Sequence, residues 1–233
     1  MVDVGGEGVA SDSKRDLIIA AGARVFPEFG YHKTTVEDVI REAGVARSTF
    51  YSYFSNKREL FIDVLTGKTN DIVETVREGI DAIVAQFDDP AADPAGEAMF
   101  EGPLAMLSTR VFDFVRKYRG VARVFLHELV GADQEFTCIY NDFQEQLIDQ
   151  FQRLIECGID KGVMRRMDSR TAAEFVVSGH MYLARSFSAG RDAFDAAAAA
   201  HKFSDLQFRG LIKRGGVPKD EESAEPAGAI ARG

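Results

Sequence analysis

Apolar side chains recur at helical spacing along most of this chain, and this period constrains the fold more than any other feature. The clearest stretch sustains one apolar face for about six turns, formed by Phe136, Ile139, Tyr140, Phe143, Leu147, Phe151, Leu154, Ile155 and Ile159. No window of the sequence shows the period-two alternation of a half-buried strand. The sequence therefore predicts an all-α fold.

Turn and capping residues divide this helical pattern into segments. The first predicted helix begins near residue 14 and ends before Gly30, and Thr35 with Asp38 has the spacing of a capping box for a second helix over 36–43. A third short helix is expected over 47–54, and a long fourth one from residue 57. The pair Gly102-Pro103 predicts a break. The later predicted helices are 103–118, 121–130, 134–161, 169–188 and 191–213.

Charge is distributed unevenly along the chain and suggests two units. Residues 14–58 hold 8 basic and 5 acidic side chains, a net charge of +3, whereas residues 61–233 hold 20 basic and 28 acidic ones, a net charge of −8. Residues 1–12 and 215–233 are rich in small and acidic residues without an apolar period, and we expect mobile tails there. A small basic domain at 13–58 is thus predicted on an acidic helical domain at 59–214.

The sequence contains no segment suited to crossing a membrane. Its longest run without a formal charge, Phe175 to Ala184, has ten residues, about half of what a bilayer span needs. The amino-terminal residues lack the basic and apolar regions of a secretory signal. The only two cysteines, Cys138 and Cys157, fall on one predicted helix, too far apart for a disulfide. We therefore expect a cytoplasmic protein.

One segment of the basic unit carries a recognisable motif. Residues 34–60 read TTVEDVIREAGVARSTFYSYFSNKREL, in which Gly44 permits a sharp turn and Val45 and Phe50 can pack two short helices together. This is the pattern of a helix-turn-helix, whose last helix enters the major groove of DNA. The order of the double Thr, the Ala-Gly-Val turn, Thr-Phe-Tyr, Tyr-Phe and the following Lys resembles the DNA-binding region of TetR-family transcriptional regulators.

The resemblance implies two kinds of DNA contact. Hydroxyl and ammonium groups would contact phosphates, and the candidates are Thr34, Thr35, Tyr51, Tyr53 and Lys57. Side chains at the start of the third helix would read base edges, and the candidates are Arg47, Ser48 and Thr49. The alternative is that the two tyrosines are scaffold residues and that Lys57 is a solvated cap. The chain departs from the family in having Ala46 where a Ser or Thr usually caps the recognition helix.

The resemblance further implies a repressor that binds palindromic double-stranded operator DNA as a homodimer and is released by a small hydrophobic effector. Predicted pocket residues are the apolar and aromatic side chains Met106, Phe112, Phe125 and Phe143, with His127 and Tyr140 as polar groups. The predicted dimer interface uses the helices over 134–161 and 169–188. Its candidate residues are Phe175, Val176, Gly179, Leu183 and Phe187.

Other classes of function receive less support from the residues. No His has a Glu three residues before it, as in diiron bundles, and His127-Glu128 is not followed by the second His of a zinc protease helix. Gly67-Lys68-Thr69 lacks the first Gly of a phosphate-binding loop. We therefore expect no enzyme activity, no metal and no cofactor. A helical DNA-binding or partner-binding protein without a small-molecule ligand remains the alternative.

Overall fold

The helical spacing of the apolar residues produces eight α-helices in the part of the chain that the structure describes. The computed structural model describes residues 7–87 and 98–189, together with residues 198, 202, 203, 205 and 206. The helices are α1 (Glu7–Phe29), α2 (Val36–Ala43), α3 (Arg47–Tyr53), α4 (Lys57–Phe87), α5 (Ala98–Lys117), α6 (Arg119–Arg123), α7 (Gln134–Asp160) and α8 (Ser169–Ser188). A π-helical segment (Val124–Leu129) follows α6. The all-α prediction is confirmed.

Local signals in the sequence explain the ends of the short helices. Thr35 caps α2: its hydroxyl accepts a hydrogen bond from the backbone N–H of Asp38, whose carboxylate accepts one from the Thr35 backbone N–H in return. Gly44 ends the helix with φ of 66°, a left-handed conformation that glycine adopts without strain. Ala46 occupies the N-cap of α3 and forms no side-chain capping bond.

Three boundaries differ from the sequence prediction. Helix α1 begins at Glu7, inside the predicted tail, and α5 continues through Gly102-Pro103, where proline removes only one backbone hydrogen bond from a 20-residue helix. The predicted helix over 121–130 divides into α6 and the π-helical segment, because apolar spacing does not distinguish the two helix types over so few residues. The predicted tail over 215–233, and all but five residues of the predicted helix over 191–213, lie outside the described residues.

A continuous apolar core joins the helix-turn-helix to the rest of the chain. Buried Phe26 and Phe50 of α1 and α3 belong to the same cluster as Phe61 of α4 and as Phe125 and Phe136 further along the chain. A second cluster lies between α4, α5, α7 and α8. Helix α4 contributes to both clusters, and the division predicted at residue 58 falls within this helix. Within the described ranges, no helix is both long and apolar enough to cross a bilayer.

Candidate DNA-binding surface and effector cavity

Helix α3 presents a polar surface at its amino-terminal end. Phe50 is buried and anchors the helix in the core, while Arg47, Ser48 and Tyr51 are exposed and Thr49 is half-buried. Successive turns of α3 therefore place one side chain inward and a guanidinium, a hydroxyl and a phenol outward. These are the groups that donate to base edges and phosphates.

Arg47 is held on this surface by two neighbours. Its Nη1 lies 2.5 Å from Oε1 of Glu37 on α2, and its Cζ lies 5.5 Å from the centre of the Tyr51 ring. A carboxylate and an aromatic face are the two partners that a guanidinium favours. The side chain predicted to read bases therefore has a partner within the chain on two sides.

The two predicted threonine contacts differ in accessibility. Thr34 is only 1% exposed, and its hydroxyl donates to the carbonyl oxygen of Gly30 at 2.8 Å. Thr35 is exposed and donates its hydroxyl to Asp38 at 2.7 Å while it caps α2. Thr34 therefore supports the turn before α2, and Thr35 is the threonine at the surface.

Tyr53 is half-buried and packs against the core of the helix-turn-helix.

The structure places Lys57 differently from the expectation that it binds a phosphate. Its ammonium donates to the backbone carbonyl oxygens of Tyr31, His32 and Thr34, at 2.9, 3.1 and 2.9 Å. An ammonium has three donors, so all of them are used within the chain. The nitrogen also lies 4.9 Å from the centre of the Tyr31 ring, and burial lowers the pKa of Lys57 below its usual value. Lys57 fixes the loop between α1 and α2 to the start of α4.

Arg58 connects the helix-turn-helix to the helical body. Its Nη2 lies 2.9 and 3.1 Å from the two carboxylate oxygens of Asp133, and its Nη1 donates to Glu135. The guanidinium also lies over Phe136, with 5.3 Å between Cζ and the ring centre. The hydrogen bond from Arg58 is the main cause of the lowered pKa of Asp133. Arg58, which the sequence suggested as a phosphate contact, is therefore a junction residue between the helix-turn-helix and the helical body.

A close backbone approach forms the other side of the same junction. A Cβ atom on Gly120 would lie 2.4 Å from the Cα and Cβ of Pro27 in α1, a distance at which no side chain fits. Nearby, the Phe26 and Phe61 rings meet edge to face with 4.8 Å between centres, and Phe61 contacts Phe136 at 5.8 Å. The helix-turn-helix is thus packed tightly on α6 and on the start of α7.

An apolar cavity of about 80 Å³ lies within the helical body. Four of its lining residues carry polar groups, and each of these residues has a partner within the chain. The Thr69 hydroxyl donates to the Thr66 carbonyl oxygen, and the Lys68 ammonium pairs with Asp71 and lies over Tyr118. The full lining is Leu65, Lys68, Thr69, Ile72, Val111, Phe114, Val115, Tyr118, Val121, Ala122, Phe125, Leu126, Phe143, Leu147, His180, Met181 and Ala184.

His180 lines this cavity and was missed by sequence reasoning. Its Nδ1 donates to the Val176 carbonyl oxygen at 2.8 Å and its Nε2 lies 3.1 Å from the Ser108 hydroxyl. Burial lowers the pKa of the imidazole, so the neutral ring accepts from Ser108 through Nε2. The rings of Phe112 and Phe151 stack on it with centres 6.2 and 6.0 Å away. These contacts join His180 to residues far away in the sequence, so no local pattern marked it as a cavity residue.

The six predicted pocket residues do not all lie at one site. Phe125 and Phe143 line the cavity. Phe112 lies behind it against His180, whereas Met106 is exposed. His127 bonds instead to α8, with its Nε2 2.9 Å from the carbonyl oxygen of Arg185. Tyr140 lines a separate cleft of about 310 Å³, with Leu126, Val130, Gln144, Ser178, Met181, Tyr182 and Arg185.

Helix α8 has one apolar face inside the chain and aromatic side chains on the opposite face. Phe175 and Tyr182 are 74% and 67% exposed, which is unusual for such large rings. Val176 is buried in the core of its own chain, and a Cβ on Gly179 would collide with the ring of Phe203. The two other predicted interface residues, Leu183 and Phe187, are half-buried.

Comparison with known proteins identifies the first part of the chain. Residues 18–64 match the family described as "Bacterial regulatory proteins, tetR family". The Fatty acid metabolism regulator protein of Bacillus subtilis (strain 168) is 25% identical over 160 residues, which cover 68% of this chain and 75% of that protein. The family match at residues 18–64 includes both α2 and α3.

Solved structures share the architecture beyond the helix-turn-helix. The transcriptional regulator FadR from Bacillus subtilis, in complex with stearoyl-CoA, has a TM-score of 0.65 and 22% identity, with 84% of this chain and 98% of that chain covered. SmeT, described as the repressor of a multidrug efflux pump of Stenotrophomonas maltophilia, has in its triclosan complex a TM-score of 0.67 and 17% identity, with 92% and 100% covered. At these identities the likeness is one of fold.

Proposed function

This chain belongs to the TetR family of helix-turn-helix transcriptional regulators, a family without enzyme activity, and we propose that it is a repressor released from operator DNA by a small hydrophobic effector. The observation that carries the proposal is the connection between an exposed α3 surface and an apolar cavity through one continuous core. Because its ligand is DNA, the protein acts in the cytoplasm.

The DNA contacts of the proposal come from the surface groups of α2 and α3. Arg47, Ser48 and Thr49 face base edges, and Thr35 with Tyr51 contacts phosphates. Lys57 is left out of this set because its donors are engaged. Such a surface fits one half-site, so a specific operator has two half-sites about 34 Å apart.

The effector of the proposal is a small, largely apolar molecule. The polar lining residues already have partners inside the chain, so an added polar group would displace an existing bond there. Relatives of the same fold are described in complex with stearoyl-CoA and with triclosan, two ligands with large apolar portions. These two compounds are therefore suitable first probes.

In the proposed homodimer, the two chains contact each other through the outer face of α8. Two exposed aromatic residues on one helix, Phe175 and Tyr182, form the kind of patch that marks a protein interface. Substituting either by Glu should give monomers with little operator affinity, measured by analytical ultracentrifugation and fluorescence anisotropy. Met106→Glu, at a similarly exposed residue of α5, is the matched control. Dimers that survive both changes would place the interface elsewhere.

The test of effector release begins with DNA selected by the purified protein from a random duplex library. Triclosan and stearoyl-CoA are then added to the complex formed with the selected duplex, and release is measured by anisotropy. In Ala122→Leu, which extends a side chain into the cavity, release should need a higher concentration than in wild type. Ala82→Leu on the exposed side of α4 is the control.

The outcomes of this experiment distinguish an effector-responsive repressor from a DNA-binding protein without a small-molecule ligand. Release by either probe, weakened by Ala122→Leu and unaffected by Ala82→Leu, supports an effector-responsive repressor. Specific DNA binding that no compound in a broad hydrophobic library relieves would favour a DNA-binding protein without a small-molecule ligand. The absence of any selected sequence would contradict the repressor.

A further inference from the structure

We propose that Glu37 is a specificity-determining residue that acts through Arg47, holding its guanidinium for base recognition and away from phosphates. The inference rests on the proposed function, in which Arg47 faces base edges. Glu37 does not touch DNA in this scheme, so it is a positioning residue. Its carboxylate determines the position of the Arg47 guanidinium.

The geometry places the Arg47 guanidinium between two elements of the helix-turn-helix. Glu37 lies in the first turn of α2, and Arg47 begins α3, with 2.5 Å between Oε1 and Nη1. The Tyr51 ring, one turn along α3, supports the other side at 5.5 Å. Among the described residues Arg47 has no ion pair besides the one with Glu37.

Both members of the pair are open to solvent, and this exposure makes a purely structural role weak. The side chains of Arg47 and Glu37 are 65% and 56% exposed. Exposed ion pairs contribute little to folding stability. A negative charge beside the recognition helix also repels every phosphate that approaches, regardless of sequence. The pair must therefore be judged by its effect on DNA binding.

The effect of Glu37 differs between specific and non-specific DNA. On non-specific DNA a free arginine gains affinity by turning to a phosphate, which releases counterions and carries no sequence information. Binding to Glu37 competes with that movement. At a specific site the arginine meets guanine O6 and N7, which accept two hydrogen bonds in the major groove. Glu37 thus weakens non-specific binding more than specific binding.

A second ion pair in the same domain provides a matched control. Arg24 Nε lies 2.6 Å from Oε1 of Glu42, and these side chains are also largely exposed. This pair joins α1 to the last turn of α2 and involves no residue of α3. Glu42→Gln removes the same charge from the same helix as Glu37→Gln, but it leaves Arg47 with its partner.

The experiment selects binding sites from a random duplex library with wild type, Glu37→Gln, Glu42→Gln, Arg47→Ala and the double variant Glu37→Gln/Arg47→Ala. The affinities of each protein for the wild-type site and for an unrelated duplex are then measured over a range of salt. Thermal unfolding shows that every variant is folded. Glu37→Asp keeps the negative charge but shortens the side chain. It therefore distinguishes the effect of the charge from the effect of the contact with Arg47.

We expect Glu37→Gln to lose the guanine preference at one position of each half-site, the position that Arg47→Ala also loses. The ratio of specific to non-specific affinity should fall about tenfold. On unrelated DNA the salt slope should steepen by about 1.8, because one freed arginine in each subunit of a dimer then contacts a phosphate at about 0.9 each. Glu37→Asp should lose the guanine preference with a smaller gain in non-specific affinity.

The controls decide between the possible readings of these results. Glu42→Gln should keep the wild-type base preference, and the double variant should behave as Arg47→Ala does. If Glu37→Gln selects the wild-type sequence with an unchanged affinity ratio, or if Glu42→Gln has the same effect, the inference is overturned while the proposed function stands. If the wild-type protein selects no sequence at all, both are overturned.

Discussion

Replacing Lys57 by Met tests whether this lysine stabilises the fold or contacts DNA. Methionine keeps much of the apolar stem and removes the ammonium, which donates to three carbonyl oxygens in the loop before α2. If the structure describes its role correctly, the variant loses stability and keeps its phosphate contacts. If the family resemblance describes it correctly, the reverse holds.

The expected loss of stability follows from the three bonds. A hydrogen bond to a charged group contributes about 1.5–3 kcal/mol when the partners are shielded, but water can replace the ammonium at a half-buried site. We therefore expect a loss of about 2–3 kcal/mol in the free energy of unfolding. For a chain of 150–250 residues this lowers Tm by roughly 4–12 °C. The salt slope of DNA binding should not change.

The assay combines thermal unfolding with operator affinity over a range of salt. Lys33→Met is the matched control, because Lys33 is exposed in the same loop and has no hydrogen bond or ion pair among the described residues. It should leave Tm within about 1 °C of the wild-type value. A Lys57→Met protein with unchanged Tm and a slope smaller by about 1.8, the value for two phosphates, would refute the structural role.

Three further changes test the caps and the junction. Ala46→Ser should add about 1 kcal/mol to the free energy of unfolding, measured in urea, because serine can cap α3. An unchanged free energy would contradict the view that α3 lacks a side-chain cap. Gly120→Ala should lower the free energy of unfolding by about 1–3 kcal/mol, because the added Cβ meets the α1 backbone. The control Gly67→Ala, at an open position of α4, should be neutral or stabilising. Equal losses in the two variants would refute the close approach. The pKa of Asp133 is lower in the folded chain because of Arg58, so its contribution is complete above the unfolded value of about 3.9 and is lost as the pH falls through the folded value. Asp133→Asn should therefore flatten the decline of Tm below about pH 4, and identical pH profiles would exclude the link.

Sequence reasoning predicted the parts of this molecule whose causes are local. The Thr35 capping box and the left-handed Gly44 each depend on a few adjacent residues, and the apolar spacing of α7 places Phe136 and Phe143 inward as its period requires. The family resemblance over the helix-turn-helix rests on the same short-range pattern. These features need no knowledge of the distant chain.

Contacts between distant segments escaped sequence reasoning for a physical reason. Lys57 and the carbonyl oxygen of Tyr31 are 26 residues apart, and Arg58 and Asp133 are 75 apart. A basic residue beside a recognition helix has the same local pattern whether its partner is a phosphate or the chain itself. His180 was missed in the same way, because its aromatic neighbours come from other helices and from Phe112 and Phe151 in particular.

The position of the cavity gives the proposed effector a physical route through α1 to the DNA-binding surface. Val121, Phe125 and Leu126 line the cavity, and the same three residues belong to the core cluster that contains Phe50 of α3 and Phe26 of α1. A ligand that moved this wall would therefore disturb the packing that orients α3 through α1, which contacts both α6 and α3. A hundredfold loss of DNA affinity requires only about 2.7 kcal/mol of differential binding between two conformers. That is about the free energy of burying one large apolar side chain, so a small apolar effector is sufficient for the proposed release.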